Sequence, residues 1–202
     1  MGICYLVGAG DFHGRISPGD DDIIIAADGG YDALTRHGYT PDILIGDLDS
    51  IKSAIPEDMR TILYPKEKDE TDMFLAYEAG VKSGYTDFVL LGATGGRLDH
   101  TFANLSLLLY AKEQGHNVTV IYEGGMILCI KNEAISLAGR EGAYLSVFAF
   151  GAEAKGVTIR GAKYEVDNAT LSPAFPLGVS NEFGTSPAYI SVKDGALIIM
   201  AE

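Results

Sequence analysis

The chain has 202 residues, of which 47% are hydrophobic and 21% charged, a composition that excludes disordered and collagen-like proteins. Its length allows one substantial core or two modest ones. The formal net charge of -13 argues against broad binding to nucleic acid or to an anionic membrane surface, since both require clustered Lys and Arg. An acidic chain that binds a phosphate ligand ordinarily uses a divalent cation between its carboxylates and the phosphate.

The two cysteines, Cys4 and Cys129, lie in apolar runs without a nearby Cys or His at metal-ligand spacing. We expect both to be buried and reduced, which fits a cytoplasmic protein. No basic segment precedes the apolar stretch 3–7, and no apolar run approaches the roughly 18 residues that span a bilayer. The sequence therefore predicts neither an export signal nor a membrane helix.

From the N-terminus to about residue 130, short runs of Ile, Leu and Val alternate with segments of helical period. This alternation is typical of βα units on a buried parallel sheet. Strands are predicted over residues 3–7, 23–27, 43–45, 62–64, 88–91 and 118–122, and helices over 71–83 and 98–114. We therefore expect an N-terminal α/β domain, with a Rossmann-like parallel sheet, over residues 1–130.

Beyond residue 130 the hydrophobic period changes to two and helical patterning disappears. Asp194 and Gly195 separate the alternating stretch 189–193 from the apolar run 196–200, which predicts a hairpin. We expect a C-terminal all-β sandwich domain over residues 131–202.

Acidic residues follow two of the predicted parallel strands directly. Asp28 and Gly29 end one, and Asp47 and Asp49 follow the next. The carboxyl ends of parallel strands share one edge of the sheet, where open α/β folds bind ligands. Residues two apart in an extended chain point to the same side, so Asp47 and Asp49 can hold one cation. The structural alternatives are a strand-to-helix turn at Asp28 and, at Asp47, an Asx-turn followed by an Asp or Ser helix cap.

The segment before the helix at 71–83 carries charge of both signs. Asp69 is a candidate helix cap, with Asp72 three positions later in a capping-box relationship. The same helix start offers free backbone N–H groups to a phosphate, Lys68 adds a positive charge, and Asp72 is a further candidate cation ligand. Both interpretations are compatible.

A glycine-rich turn, residues 92–100, follows the strand at 88–91. It lacks the Lys-Ser/Thr ending of a P-loop and the spacing of the dinucleotide fingerprint. Its glycines allow close approach to phosphate oxygens, and Arg97 supplies a fork of donors. Asp99 is suited to accept a hydrogen bond from an attacking hydroxyl or to hold a metal-bound water. His100 is interpreted as an ordinary helix residue.

Together, these motifs resemble the ordered motif set of the thiamine pyrophosphokinase family. They are Asp28-Gly-Gly, Gly46-Asp-Leu-Asp-Ser, Lys68-Asp-Glu-Thr-Asp and Gly95-Gly-Arg-Leu-Asp-His. Residues 161–164 and 178–183 are similar to the family's thiamine-contacting region, so the resemblance covers essentially the whole chain.

The resemblance implies transfer of pyrophosphate from ATP to the hydroxyl of thiamine, with Mg2+ as cofactor, by a homodimer whose active sites draw on both subunits. By position, the resemblance implies metal ligands at Asp47, Asp49 and Asp72; ATP or phosphate contacts at Asp28, Gly29, Lys68, Thr71 and Arg97; catalytic roles for Asp72, Asp99 and Arg97; and thiamine contacts at Tyr164, Ser180 and Asn181. Relatives often have Trp where this chain has Tyr164.

Three questions stay open from the sequence. The sequence does not decide whether Asp72 or Asp99 is the base that accepts the proton of the acceptor hydroxyl. A pyrophosphokinase for another acceptor, such as a pterin alcohol, shares the same α/β motifs. A catalytically silent sensor of Mg-ATP is an alternative from a different functional class.

Overall fold

The computed structural model describes residues 2–202, and the chain divides into two compact units. The first unit extends to Leu107 and resumes over Gly115–Glu123, while the second comprises Leu108–Gln114 and Gly124–Glu202. The chain therefore enters the second unit first at Leu108 and again at Gly124, whereas the sequence predicts a single boundary at residue 130.

The first unit contains a parallel sheet and its helices. Its strands are β1 (Cys4–Val7), β2 (Ile23–Ala27), β3 (Ile43–Gly46), β4 (Thr61–Leu63), β5 (Asp87–Leu91) and β6 (Asn117–Tyr122). Its helices are α1 (Gly30–Arg36), α2 (Asp72–Lys82) and α3 (Leu98–Glu113), of which α3 continues into the second unit. The strand order is β4-β3-β2-β1-β5-β6, and every pairing along it is parallel.

Burial explains why the strands of this sheet are continuous apolar runs. β3 is buried at every position, and β1 and β2 are each buried at all but one. A parallel sheet covered on both faces requires apolar side chains on both sides of each strand. The connections that follow β1, β2, β3 and β5 all leave from the same edge.

Helix α2 begins differently from the sequence prediction. Thr71 is its cap, since the Thr71 side chain accepts a hydrogen bond from the Phe74 N–H at 3.2 Å. The expected cap at Asp69 is therefore wrong. Thr71 is the residue directly before the helix and has extended backbone angles, which is the geometry a capping hydroxyl requires.

The second unit is built from antiparallel strands. They are β7 (Gly125–Lys131), β8 (Ala134–Leu137), β9 (Tyr144–Arg160), β10 (Val166–Leu171), β11 (Asn181–Glu182), β12 (Ala188–Ser191) and β13 (Asp194–Ala201). β9 is the organising strand: its first part pairs with β11 and β13, and its last part with β10 and β12. Gly151, which has a positive φ, lies between these two parts, and Gly156, also with a positive φ, lies within the last part.

The predicted hairpin at Asp194 and Gly195 is wrong. β12 pairs with β8 and β9, whereas β13 pairs with β7 and β9, so the two consecutive strands are not partners. The two strands pair with different parts of β9, so they do not lie side by side. Local turn chemistry does not encode this long-range pairing.

Both cysteines are free and buried, and burial raises the pKa of Cys4 to about 12 and that of Cys129 to about 11. At pH 8 the thiolate fraction of each is therefore on the order of one in a thousand or less. We expect a thiol-specific reagent such as DTNB to label neither residue in the native protein and both after unfolding in guanidinium. Rapid native labelling would contradict the burial.

Over residues 2–202, no helix is long and apolar enough to cross a membrane.

Candidate functional site

Two glycine-rich turns are joined at the edge of the parallel sheet. One follows β1 and the other follows β5. The N–H of Gly10 donates to the carbonyl of Gly92 at 2.9 Å, and the N–H of Asp11 donates to Thr94 at 2.8 Å. A Cβ on Gly10 would lie 2.2 Å from the Thr94 carbonyl oxygen, and Gly92 has a φ of 60°. The two turns therefore approach as closely as they do because both contain glycine.

The turn after β1 was missed by the sequence reasoning, although Gly8-Ala9-Gly10 directly follows a buried strand and is a readable signal. Asn104 was missed as well. Its buried carboxamide donates from Nδ2 to the carbonyl of Ala93 at 2.7 Å and so attaches helix α3 to the second turn.

A cavity of about 370 Å³ opens beside these turns. Its lining includes Gly8, Ala9, Gly10, Ala27, Asp28, Ser50, Asp72, Met73, Gly92, Ala93, Gly95, Gly96, Arg97, His100 and Asn104. Side chains from distant parts of the first unit thus face one space. Three of the predicted site residues, Asp28, Asp72 and Arg97, are among them.

Asp28 lies directly after β2 in a left-handed conformation, with a φ of 46°. Its N–H donates to the carbonyl of Ile45 at 2.7 Å, and its Oδ2 accepts from the Ser50 hydroxyl at 2.5 Å. Its Oδ1 is buried without a hydrogen-bond partner among residues 2–202. A buried carboxylate oxygen without a partner is costly, so this atom is suited to accept a cation or a hydrogen-bond donor.

Asp28, Asp47 and Asp49 form a compact carboxylate group, with ligand oxygens all within 4.8 Å of one another. The route by which Asp47 and Asp49 converge differs from the extended chain that the sequence suggests. The Asp49 N–H donates to Asp47 Oδ1 at 3.1 Å, and Leu48 between them has a φ of 65°. Asp47 therefore forms an Asx-turn, although no helix follows this turn before Asp72, and the turn brings both side chains together.

Two lysines neutralise the neighbouring carboxylates. Lys66, which the sequence reasoning missed, contacts Asp49 directly, and this hydrogen bond lowers the pKa of Asp49 and raises that of Lys66. Lys68 Nζ lies 2.7 Å from Asp72 Oδ1, although the angles do not satisfy a hydrogen bond at that oxygen. Asp72 is thus ion-paired with Lys68 and stands outside the group of three carboxylates.

Arg97 and Asp99 form an exposed bidentate pair. Arg97 donates from Nε to Asp99 Oδ1 at 3.1 Å and from Nη2 to Oδ2 at 2.5 Å. These hydrogen bonds lower the pKa of Asp99 and raise that of Arg97. Arg97 lines the cavity, as does the exposed helix residue His100.

Asp32 supports the loop that carries Ser50 and was also missed. Its carboxylate accepts from the backbone N–H groups of Lys52 at 2.9 Å and Ser53 at 2.8 Å. A hydrogen bond from the Ser53 side chain is the main cause of the lowered pKa of Asp32, and the two backbone N–H groups lower it further. Through this loop, Asp32 helps to hold the Ser50 hydroxyl against Asp28.

The predicted acceptor-binding residues lie in the second unit. The ring of Tyr164 is exposed, and the ammonium of Lys163 lies 5.6 Å from its centroid. Lys163 is itself held by Glu182 at 2.7 Å, which raises the Lys163 pKa. Asn181 is buried and bonded to the backbone of Tyr164, while Ser180 is exposed with a φ of 57°.

Comparison with known proteins identifies the family. Residues 19–120 match the profile described as "Thiamin pyrophosphokinase, catalytic domain", and residues 128–197 match "Thiamin pyrophosphokinase, vitamin B1 binding domain". The chain belongs to the thiamin pyrophosphokinase family. The activity of this family is transfer of pyrophosphate from ATP to thiamine, so the chain is an ATP-dependent transferase.

Individual thiamin pyrophosphokinases are similar over nearly the whole chain. Thiamine pyrophosphokinase of Bacillus subtilis (strain 168) is 28% identical over 185 residues, which cover 87% of this chain and 85% of that protein. The crystal structure of thiamin pyrophosphokinase from Geobacillus thermodenitrificans has a TM-score of 0.86 and 28% identity, covering 99% of this chain and 97% of the other. The Candida albicans enzyme shares the fold, with a TM-score of 0.76 at 17% identity, covering 99% of this chain and 88% of that chain.

Proposed function

We propose that the cavity of the first unit holds the phosphates of ATP and a Mg2+ ion for pyrophosphate transfer to thiamine. The observation that carries this proposal is the buried, unpartnered Oδ1 of Asp28, which belongs to a group of three carboxylates beside a cavity lined by glycine turns. Carboxylates, glycine N–H groups and one exposed arginine are the components that phosphoryl transfer requires.

The carboxylate group fits Mg2+ in its chemistry. Mg2+ takes oxygen ligands and is bound through a few carboxylates together with substrate phosphates, and a cation satisfies the free oxygen of Asp28. We propose Asp28, Asp47 and Asp49 as ligands of this ion. Asp72 is proposed as a further ligand, which the family resemblance implies. When bound, the ion neutralises phosphate charge and orients the transferred group.

The positive side chains have distinct roles in this proposal. Arg97 lines the cavity and is exposed, and its pair with Asp99 leaves the Nη1 donors for phosphate oxygens. Lys68 acts through its ion pair with Asp72. The first turn of α2 offers backbone N–H groups; Thr71 already satisfies that of Phe74, and Gly29 lies at the corresponding start of α1.

Asp72 is the better candidate base of the two that the sequence left open. Asp72 lines the cavity, whereas Asp99 is not among the lining residues and is held by both donors of Arg97. Asp99 instead orients Arg97 in this proposal. Because phosphoryl transfer depends mainly on positioning and charge neutralisation, the base contributes less than the cation and Arg97 do.

Tyr164 is proposed to stack on thiamine, and Ser180 to supply a polar contact. Replacement of Tyr164 by alanine is expected to raise the KM for thiamine by about tenfold to hundredfold, because a cationic thiazolium loses an aromatic face. The KM for ATP is expected to stay unchanged in steady-state assays. Tyr189→Ala removes another exposed tyrosine of the second unit and is the matched control. Unchanged thiamine kinetics in Tyr164→Ala would remove Tyr164 from the site.

Several broader features accompany this function. The reversal of strand order at β1 supports a Rossmann-like description of the first unit. The division of β9 between two sets of partners supports a sandwich in the second.

Exposed Phe175, Leu177 and Val179 favour a homodimer with shared active sites. The buried free thiols favour a reducing cytoplasm.

A product assay tests the proposal directly. Purified protein incubated with ATP, Mg2+ and thiamine is expected to yield AMP and thiamine diphosphate in equal amounts. A parallel reaction with a pterin alcohol in place of thiamine tests the alternative acceptor. Formation of neither product by folded protein that binds Mg-ATP would favour a nucleotide sensor instead.

A further inference from the structure

Asn181 is one of two buried polar residues among residues 2–202, with 5% of its surface exposed. Its carboxamide bonds to both backbone polar groups of a single residue. Oδ1 accepts from the Tyr164 N–H at 2.9 Å, and Nδ2 donates to the Tyr164 carbonyl at 2.8 Å. Only this orientation of the amide satisfies both groups, since the oxygen can only accept and the nitrogen can only donate.

The same oxygen also accepts from the N–H of Glu182 at 2.9 Å. Three hydrogen bonds therefore engage the carboxamide, and all three go to backbone groups. The backbone of Asn181 is paired with Leu145 of β9, so the side chain projects from a fixed strand. Little of this buried amide is left to bind a substrate.

The segment that carries Tyr164 depends on this side chain. Ala162 is bridged to Phe183, and the Lys163 N–H donates to the Glu182 carbonyl at 2.9 Å. At Tyr164, one residue further, the partner is the Asn181 side chain in place of a backbone ladder. The Tyr164 side chain is 61% exposed, so packing does not fix its direction.

We propose that Asn181 is a positioning residue of the acceptor site: it fixes the backbone of Tyr164 and does not itself touch the acceptor. This inference rests on the proposed role of Tyr164. It also replaces the direct thiamine contact that the family resemblance implies for Asn181 with an indirect role, leaving Ser180 as the exposed polar neighbour.

A double-mutant cycle distinguishes positioning from contact. In the wild-type background, Asn181→Ala is expected to raise the KM for thiamine about tenfold, because the Tyr164 backbone loses both partners. In a Tyr164→Ala background the same substitution is expected to change that KM less than about twofold, because no ring remains to be positioned. An equal increase in both backgrounds would mean that Asn181 contacts thiamine, and the proposal would be overturned.

A second measurement needs no substrate. The chain contains no tryptophan, so Tyr164→Trp provides a single fluorophore at this position. Adding Asn181→Ala is expected to lower its fluorescence anisotropy and to increase its quenching by acrylamide. Unchanged anisotropy in the folded Asn181→Ala variant would overturn the proposal.

Asn132→Ala is the control for a general loss of stability. The Asn132 Oδ1 accepts from the Gly195 N–H at 2.9 Å in a turn of the same unit, so its loss also removes a side-chain-to-backbone bond. It is expected to lower the Tm without changing the anisotropy at position 164 or the KM for thiamine. If Tyr164→Ala alone leaves thiamine kinetics unchanged, the proposed function of Tyr164 fails, while the anisotropy still decides whether Asn181 positions residue 164.

Discussion

Asp28→Asn is expected to lower kcat by about 100-fold and to weaken divalent-cation binding, because it removes one of three clustered carboxylates. Asn is well suited to this position, since it tolerates the left-handed backbone conformation and still accepts a hydrogen bond from Ser50. The substitution therefore removes charge with little change in shape. Mn2+ titration followed by electron paramagnetic resonance measures the binding without relying on turnover.

The same variant is expected to be more stable than the wild type when no metal is added. The Oδ1 of Asp28 is buried, unpartnered and close to two other carboxylates, so neutralising it relieves repulsion and desolvation by about 1 kcal/mol. A higher Tm with lower activity would separate this effect from misfolding.

Asp20→Asn makes the same charge change at an exposed position before β2, at the opposite end of that strand, and is the control. Mn2+ affinity equal to wild type in Asp28→Asn would exclude Asp28 from the metal site.

Gly10→Ala is expected to lower kcat/KM for ATP by about 100-fold, because the added Cβ would lie 2.2 Å from the Thr94 carbonyl oxygen. That contact is with backbone, so the two glycine turns must separate. Separation breaks the hydrogen bond from Gly10 to Gly92 and shifts the groups that face the phosphates. A stability loss of about 1 to 3 kcal/mol is expected alongside it. Steady-state kinetics and thermal melting measure the two effects.

Gly19→Ala serves as the matched control for this change. A Cβ on Gly19 would lie 3.7 Å from an oxygen of Asp22, which is an ordinary contact. It is expected to leave ATP kinetics unchanged. ATP kinetics like those of wild type in Gly10→Ala would mean that the turn after β1 has no part in the nucleotide site.

Much of the first unit was predictable because its signals are local. The apolar runs matched their strands to within a residue or so at each end, as did helices α2 and α3. Turn chemistry after β2 and β3 placed Asp28, Asp47 and Asp49 near one another, since parallel strands share an edge. No bounds were predicted for α1, whose seven residues are too few for a clear helical period.

The second unit shows where local signals fail. The Asp-Gly pair at 194–195 is typical of a hairpin turn, yet β12 and β13 pair with different parts of β9. Gly151 lies where β9 changes partners, but its position in the sequence does not indicate which strands flank β9. Likewise, the sequence around Asn181 is typical of an ordinary polar turn. Only the structure shows that its side chain bonds to three backbone groups.

The sequence by itself determined that acidic loops and a glycine-rich turn meet at one edge of a parallel sheet, and it determined the family through the order of its motifs. Only the tertiary structure decided which atoms contact one another. Gly10 donates a hydrogen bond to Gly92, Asn104 donates one to Ala93, and Lys66 pairs with Asp49. The structure also decided that one oxygen of Asp28 has no partner among the described residues. The physical reason is that periodicity and turn preference act between near neighbours along the chain. Contacts between distant loops depend on strand register and on the space that each side chain leaves.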